Sequence, residues 1–81
     1  MIGRIVCSKA GSDKGSLSVI VKTEKDRVFV CDGKRHKLLK PKQKNLKHLS
    51  LTETTLNASE YQTDKKLRKA LAINAAILNK E

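Results

Sequence analysis

Between Gly33 and His48 the chain reads G-K-R-H-K-L-L-K-P-K-Q-K-N-L-K-H, a run with seven cations and no Asp or Glu. The cations are Lys34, Arg35, Lys37, Lys40, Lys42, Lys44 and Lys47. Like charges at this density repel one another unless counterions or a polyanion neutralise them. Leu38, Leu39, Pro41 and Leu46 interrupt the run, and such apolar residues are expected to pin it to a core. A pinned cationic strip is the electrostatic footprint of a nucleic-acid binder. The competing reading is a solvated face with no partner. In the binding case the basic side chains contact phosphate oxygens, and backbone N–H groups near Gly11 and Gly15 do the same.

Other chemistries find less support. Cys7, Cys31, His36 and His48 are the residues a zinc site would need, but they lack any short Cys-x-x-Cys or His-x-x-x-His pair. No metal or other cofactor is expected. Neither histidine has a carboxylate or nucleophile at motif spacing, so both are read as surface residues of the basic face. Both cysteines fall in strand-like segments, where a buried thiol is inert. The glycines Gly11 and Gly15 do not form a phosphate loop, because no G-K-[ST] follows and the next element is a strand. The chain is therefore not expected to be an enzyme. Phe29 and Tyr61 are its only aromatic residues. Single-strand binders use several stacking platforms. Their scarcity favours recognition of folded RNA through backbone and shape. Phe29 itself is expected in the core.

Charge is unevenly placed. The net charge is +10 over 81 residues. Residues 1–50 carry thirteen Lys/Arg against four Asp/Glu, whereas residues 51–81 carry five against four. The N-terminal half is thus the expected binding half. The length fits one domain with a small core. No signal peptide or membrane span is recognised, so a cytoplasmic, reducing location with free thiols and a monomeric state are expected.

The elements that must position the strip follow from periodicity. Ile2–Ser8 reads as a strand and Lys9–Gly15 as a loop. Ser16–Lys22 alternates, with Leu17, Val19 and Val21 on one face. Glu24-Lys25-Asp26 is a tight connection to a third strand, Arg27–Cys31. Asp32-Gly33 is a hairpin signal leading to a fourth strand, Arg35–Leu39, which Pro41 ends. Lys47–Thr52 is the fifth strand, with Leu49 and Leu51 inward. The prediction is a mainly β protein, a small five-stranded barrel over residues 1–53. A polar linker over 54–62 leads to a helix over 63–80, packed across one end of the barrel. The helix stripe is Leu67, Ala70, Leu71, Asn74, Ile77 and Leu78. Thr63 is the expected N-cap, with Ser59 and Gln62 as an alternative capping box, and Asp64 and Arg68 are i, i+4 partners.

Two segments carry a resemblance. Gly3-x-Ile5-Val6-x-Ser8-x-Ala10-Gly11-x-Asp13-Lys14-Gly15, followed by Val19–Val21, looks like a KOW motif. Asp32-Gly33-Lys34, Lys40-Pro41-Lys42 and Lys44-Asn45-Leu46-x-His48-Leu49 resemble small bacterial KOW-domain RNA-binding proteins. These are similar to the N-terminal barrel of the fourteenth large-subunit ribosomal protein of archaea and eukaryotes. The resemblance spans about Gly3 to Leu49. It implies an SH3-like barrel that binds RNA, with ribosomal RNA or the large ribosomal subunit as partner. The implied contacts are Lys9, Lys14, Lys34, Arg35, Lys42, Lys44 and Asn45, with Gly11 and Gly15 shaping the loop. Asn45 is expected either to satisfy the turn after Pro41 or to touch a base or 2′-hydroxyl. Ser12 and Ser16 stand where relatives often carry a basic residue. Transcription elongation factors also carry KOW domains, so a protein-interaction barrel that docks to acidic partners or to transcription machinery is the alternative.

Overall fold

A computed structural model of the chain describes residues 1–12 and 14–78. Five antiparallel strands form one sheet: β1 (Arg4–Ser8), β2 (Leu17–Glu24), β3 (Arg27–Cys31), β4 (Lys42–Asn45) and β5 (Leu49–Thr55). An α-helix, α1 (Asp64–Leu78), follows. The sheet order is β4-β3-β2-β1-β5. Strands β4 and β5 are neighbours in sequence, joined only by a 3-10 helix at Leu46–His48, yet they lie at opposite edges. In a flat sheet four strand spacings would separate them by about 19 Å. A 3-10 helix rising about 2 Å per residue spans much less. The sheet must therefore curl, and the interior of the curl is the cluster Val6, Ile20, Val28, Val30 and Leu49, with Leu46 against it.

The expected closure of the barrel is not complete, since β4 and β5 are not paired with each other. The corner between them is tied instead to other segments. The Leu46 N–H donates to the Asp26 carbonyl at 3.2 Å, and the Lys9 N–H donates to the His48 carbonyl at 2.8 Å.

Strand alternation sends Ile5, Val19 and Cys31 to the outer face, where they are fully buried. They are covered by Leu56, Leu67 and Leu71, so α1 packs on the face of the sheet opposite the Val6 cluster. Thr63 caps α1, its hydroxyl accepting from the Lys66 N–H at 3.1 Å. The alternative box at Ser59 and Gln62 is not used. Glu60 accepts from the Asn57 N–H at 3.4 Å, ordering a 3-10 helix at Ala58–Tyr61. The linker expected over 54–62 is therefore structured. β5 runs on to Thr55, and Leu56 is core. Among the described side chains of the α1 stripe, Leu67 and Leu71 are buried with Ala70 packed beside them, but Ile77 is 60% exposed. The end of the helix expected over residues 79–80 lies outside the described residues. Among those residues no helix is long and apolar enough to cross a membrane.

The largest correction concerns the fourth strand. Arg35–Leu39 is a loop, and the strand is Lys42–Asn45, after Pro41. Asp32 explains the difference. Its Oδ1 accepts from the N–H groups of Lys34 at 2.9 Å and His36 at 3.0 Å. The His36 carbonyl in turn accepts from the Asp32 N–H at 2.9 Å. A short acidic side chain that binds the N–H groups ahead of it outcompetes a sheet ladder. Lys42–Asn45 then pairs with β3, setting Lys42 opposite Val30 and Lys44 opposite Val28. Edge strands rich in lysine are a common protection against edge-to-edge association.

Two further expectations change. Leu51 stands opposite Val6 as expected but is 41% exposed, not buried. The register of β1 on β5 shifts between Arg4 and Val6, and Thr52 fills the irregularity by donating its hydroxyl to the Ile5 carbonyl at 2.7 Å. Phe29 is half-buried outside both core clusters, with the Lys22 ammonium 5.2 Å from its ring centroid.

Candidate nucleic-acid interface

The basic strip is positioned by three fastenings. Asp32 closes residues 32–36 into a compact loop, as above. Arg68 Nη1 donates to the Gly33 carbonyl at 2.7 Å. Asp64 Oδ1 accepts from the Leu38 N–H at 2.9 Å. Asp64 and Arg68, expected to pair with each other, are both turned to the loop instead. Leu38 adds an apolar anchor by packing against the outer core cluster. Gly33 sits so close to α1 that any Cβ there would lie 2.6 Å from the Asp64 carbonyl oxygen. Its φ of +80° is also one that glycine adopts at little cost.

Held this way, the loop and β4 form two shallow clefts that meet at Arg35, His36 and Lys42. One, of about 330 Å³, is lined by Gly11, Ser12, Arg35, His36, Lys42 and Lys44. The other, of about 390 Å³, is lined by Arg35, His36, Lys37, Lys40, Pro41 and Lys42. Together they make one furrow bordered by five cations, and the described residues lining it include no Asp or Glu. Lysines present point charges to phosphate, and a guanidinium can bind it through two parallel N–H groups.

The sequence-derived site residues divide. Arg35, Lys42, Lys44 and Gly11 come together in the furrow. Lys44 is half-buried, and its ammonium donates to the Ser8 hydroxyl at 3.5 Å. Lys34 and Gly15 line a different depression, beside Arg68 and Leu71. Lys9 and Lys14 are exposed and border neither cleft of the furrow. Lys14 closes a turn, its N–H donating to the Gly11 carbonyl at 3.2 Å. Asp13, part of the motif segment, lies outside the described residues. Asn45 serves the chain itself, its Oδ1 accepting from the Lys47 N–H at 2.9 Å at the corner after β4, not at the turn after Pro41. His36, Lys37 and Lys40 belong to the furrow although the resemblance implied no contact for them. Their signal was membership of the same basic run.

The two cysteines take no part. Cys31 is buried in the outer core, and burial first, then the Asp64 and Asp32 carboxylates, push its thiol up to about 11. Cys7 is a half-buried free thiol. Among the described residues no group of three or more His, Cys, Asp or Glu could hold a metal ion. Compared with protein-family models and with curated proteins, the chain matches none.

Proposed function

We propose that the protein binds folded RNA, holding successive phosphates along the furrow between the 32–41 loop, β4 and the Gly11 turn. The observation that carries this reading is the convergence of Arg35, Lys37, Lys40, Lys42 and Lys44 on one furrow. The excess of cations over the N-terminal half would draw a polyanion to that side and speed encounter. The KOW-like segments suggest ribosomal RNA as the class, with the large subunit as the assembly. The activity is binding, with no covalent step.

The test is binding of the purified protein to a structured ribosomal RNA fragment across a salt series. With about five phosphates neutralised, affinity falls a few hundredfold between 50 and 200 mM salt. Replacing Lys42 and Lys44 together with Ala weakens binding to several RNAs alike and lowers the salt slope by about two. Unchanged affinity and slope in that double variant would overturn the assignment of the furrow. Co-sedimentation with the large ribosomal subunit, released by high salt, tests the ribosomal class.

A further inference from the structure

The tip of the basic loop is a turn from Lys37 to Lys40, closed by the Lys40 N–H donating to the Lys37 carbonyl at 2.9 Å. Its two central residues are both leucine, and they have opposite fates. Leu38 packs on the core and gives its N–H to Asp64. Leu39 is 99% exposed. Turn geometry does not ask for leucine there, since Gly, Asn, Asp and Ser are the residues that turns favour. Single exposed apolar residues are common on surfaces. This one differs in its setting. It stands at the tip of a loop fastened by Asp32, Asp64 and Arg68, so its position is fixed. Lys37 and Lys40, which bracket the two leucines, both border the furrow.

We propose that Leu39 is an apolar wedge which packs against an unpaired base or its sugar while the flanking lysines hold the adjoining phosphates. The proposal rests on the RNA-binding reading of the furrow. Unpaired nucleotides in folded RNA expose base faces that a duplex keeps stacked. Apolar side chains inserted between bases are an established way for proteins to grip irregular nucleic acid. Leu39 would thus add what the lysines cannot supply, a preference for bulged or looped RNA over uniform duplex. A lipid surface is the weaker fit, because one leucine buries too little apolar area for stable anchoring.

The experiment compares the parent protein with Leu39→Ser on two RNA hairpins, identical except for a single-nucleotide bulge. Leu39→Ser should lose about tenfold in affinity for the bulged hairpin, the order expected when a leucine side chain forgoes apolar contact. Binding to the paired hairpin should stay within about twofold, and the salt slope on both RNAs should not change, because no cation is removed. The melting temperature should also hold, since the side chain touches no core. Equal losses on both hairpins, or no loss on either, would overturn the wedge while leaving phosphate binding in place. A parent protein that binds neither hairpin at any salt concentration would overturn the RNA reading together with it. Vesicles of phosphatidylcholine and phosphatidylserine form the remaining arm. Binding to them that Leu39→Ser abolishes, with RNA binding untouched, would overturn the proposal in favour of a membrane contact.

Discussion

Arg68 and Gly33 are 35 positions apart, yet the Arg68 guanidinium donates to the Gly33 carbonyl at 2.7 Å. One turn earlier on the same helix, Asp64 takes the Leu38 N–H. The first two turns of α1 therefore hold the start and the tip of the exposed basic loop. The helix carries no part of the furrow, but the furrow's shape depends on it.

Arg68→Ala should leave the fold standing and loosen the loop. The lost hydrogen bond joins a cation to a half-buried carbonyl, so the cost is about 1–2 kcal/mol. Amide exchange should rise at residues 33–40, with the Leu38 N–H as the most informative probe. RNA affinity should fall although Arg68 does not line the furrow. Unchanged exchange at Leu38 would show that Asp64 and the Leu38 side chain hold the loop without it.

Gly33→Ala should be more damaging than Gly15→Ala, although both glycines have φ near +90°. At Gly15 an added Cβ meets nothing within 4 Å. The cost there is the left-handed backbone alone, about 1–2 kcal/mol. At Gly33 the same atom would lie 2.6 Å from the Asp64 carbonyl oxygen and 2.9 Å from Arg68 Cγ. The helix or the loop must shift, which raises the cost to about 2–4 kcal/mol. Thermal unfolding of the two variants side by side measures the difference.

The elements with an apolar rhythm were legible in the sequence. β2 and β3 alternate, and Leu67 and Leu71 are a helical pair, so all three elements lie close to where periodicity puts them. The fourth strand was not legible, because Lys-Gln-Lys-Asn has no apolar alternation to reveal it. It is a strand because β3 offers it an edge. The Arg35–Leu39 segment looked like a strand because nothing in its composition shows that the Asp32 carboxylate captures two N–H groups ahead of it. The same capture explains the site. It brings Arg35 to Lys42 and Lys44, while Lys34, one residue earlier, goes to the depression beside Arg68. Leu38 and Leu39 looked equivalent, and only the turn separates them.

The cysteines should differ in reactivity and in pH response. Alkylation of the folded protein should modify Cys7 first and reach Cys31 only on unfolding, as peptide mass mapping would show. The Cys31 thiol is raised from 9.0 to about 11. The folded state then holds a proton that the unfolded state releases between these values. Its contribution to stability is full below pH 9 and is lost as pH rises through 11. The melting temperature should fall across that window, and Cys31→Ala should remove this component of the fall. Identical pH profiles for the parent and Cys31→Ala would refute the assignment.

Asn45 tests whether a motif residue serves the RNA or the chain. It ends β4 opposite Arg27, and its side chain accepts the Lys47 N–H to start the 3-10 helix leading into β5. This corner lets sequence neighbours occupy opposite edges of the curled sheet, with Leu46 and Leu49 turned to the interior cluster. Asn45→Ala removes the acceptor and should cost about 1 kcal/mol, as loss of a cap does. Affinity per folded molecule should be unchanged. Asn45→Asp keeps an acceptor at the same place and should restore most of the lost melting temperature. Its new negative charge near the furrow should weaken RNA binding, and more so at low salt, where screening is least. If Asn45→Ala instead keeps the parent's melting temperature and loses affinity, the amide contacts RNA directly and the capping role is secondary.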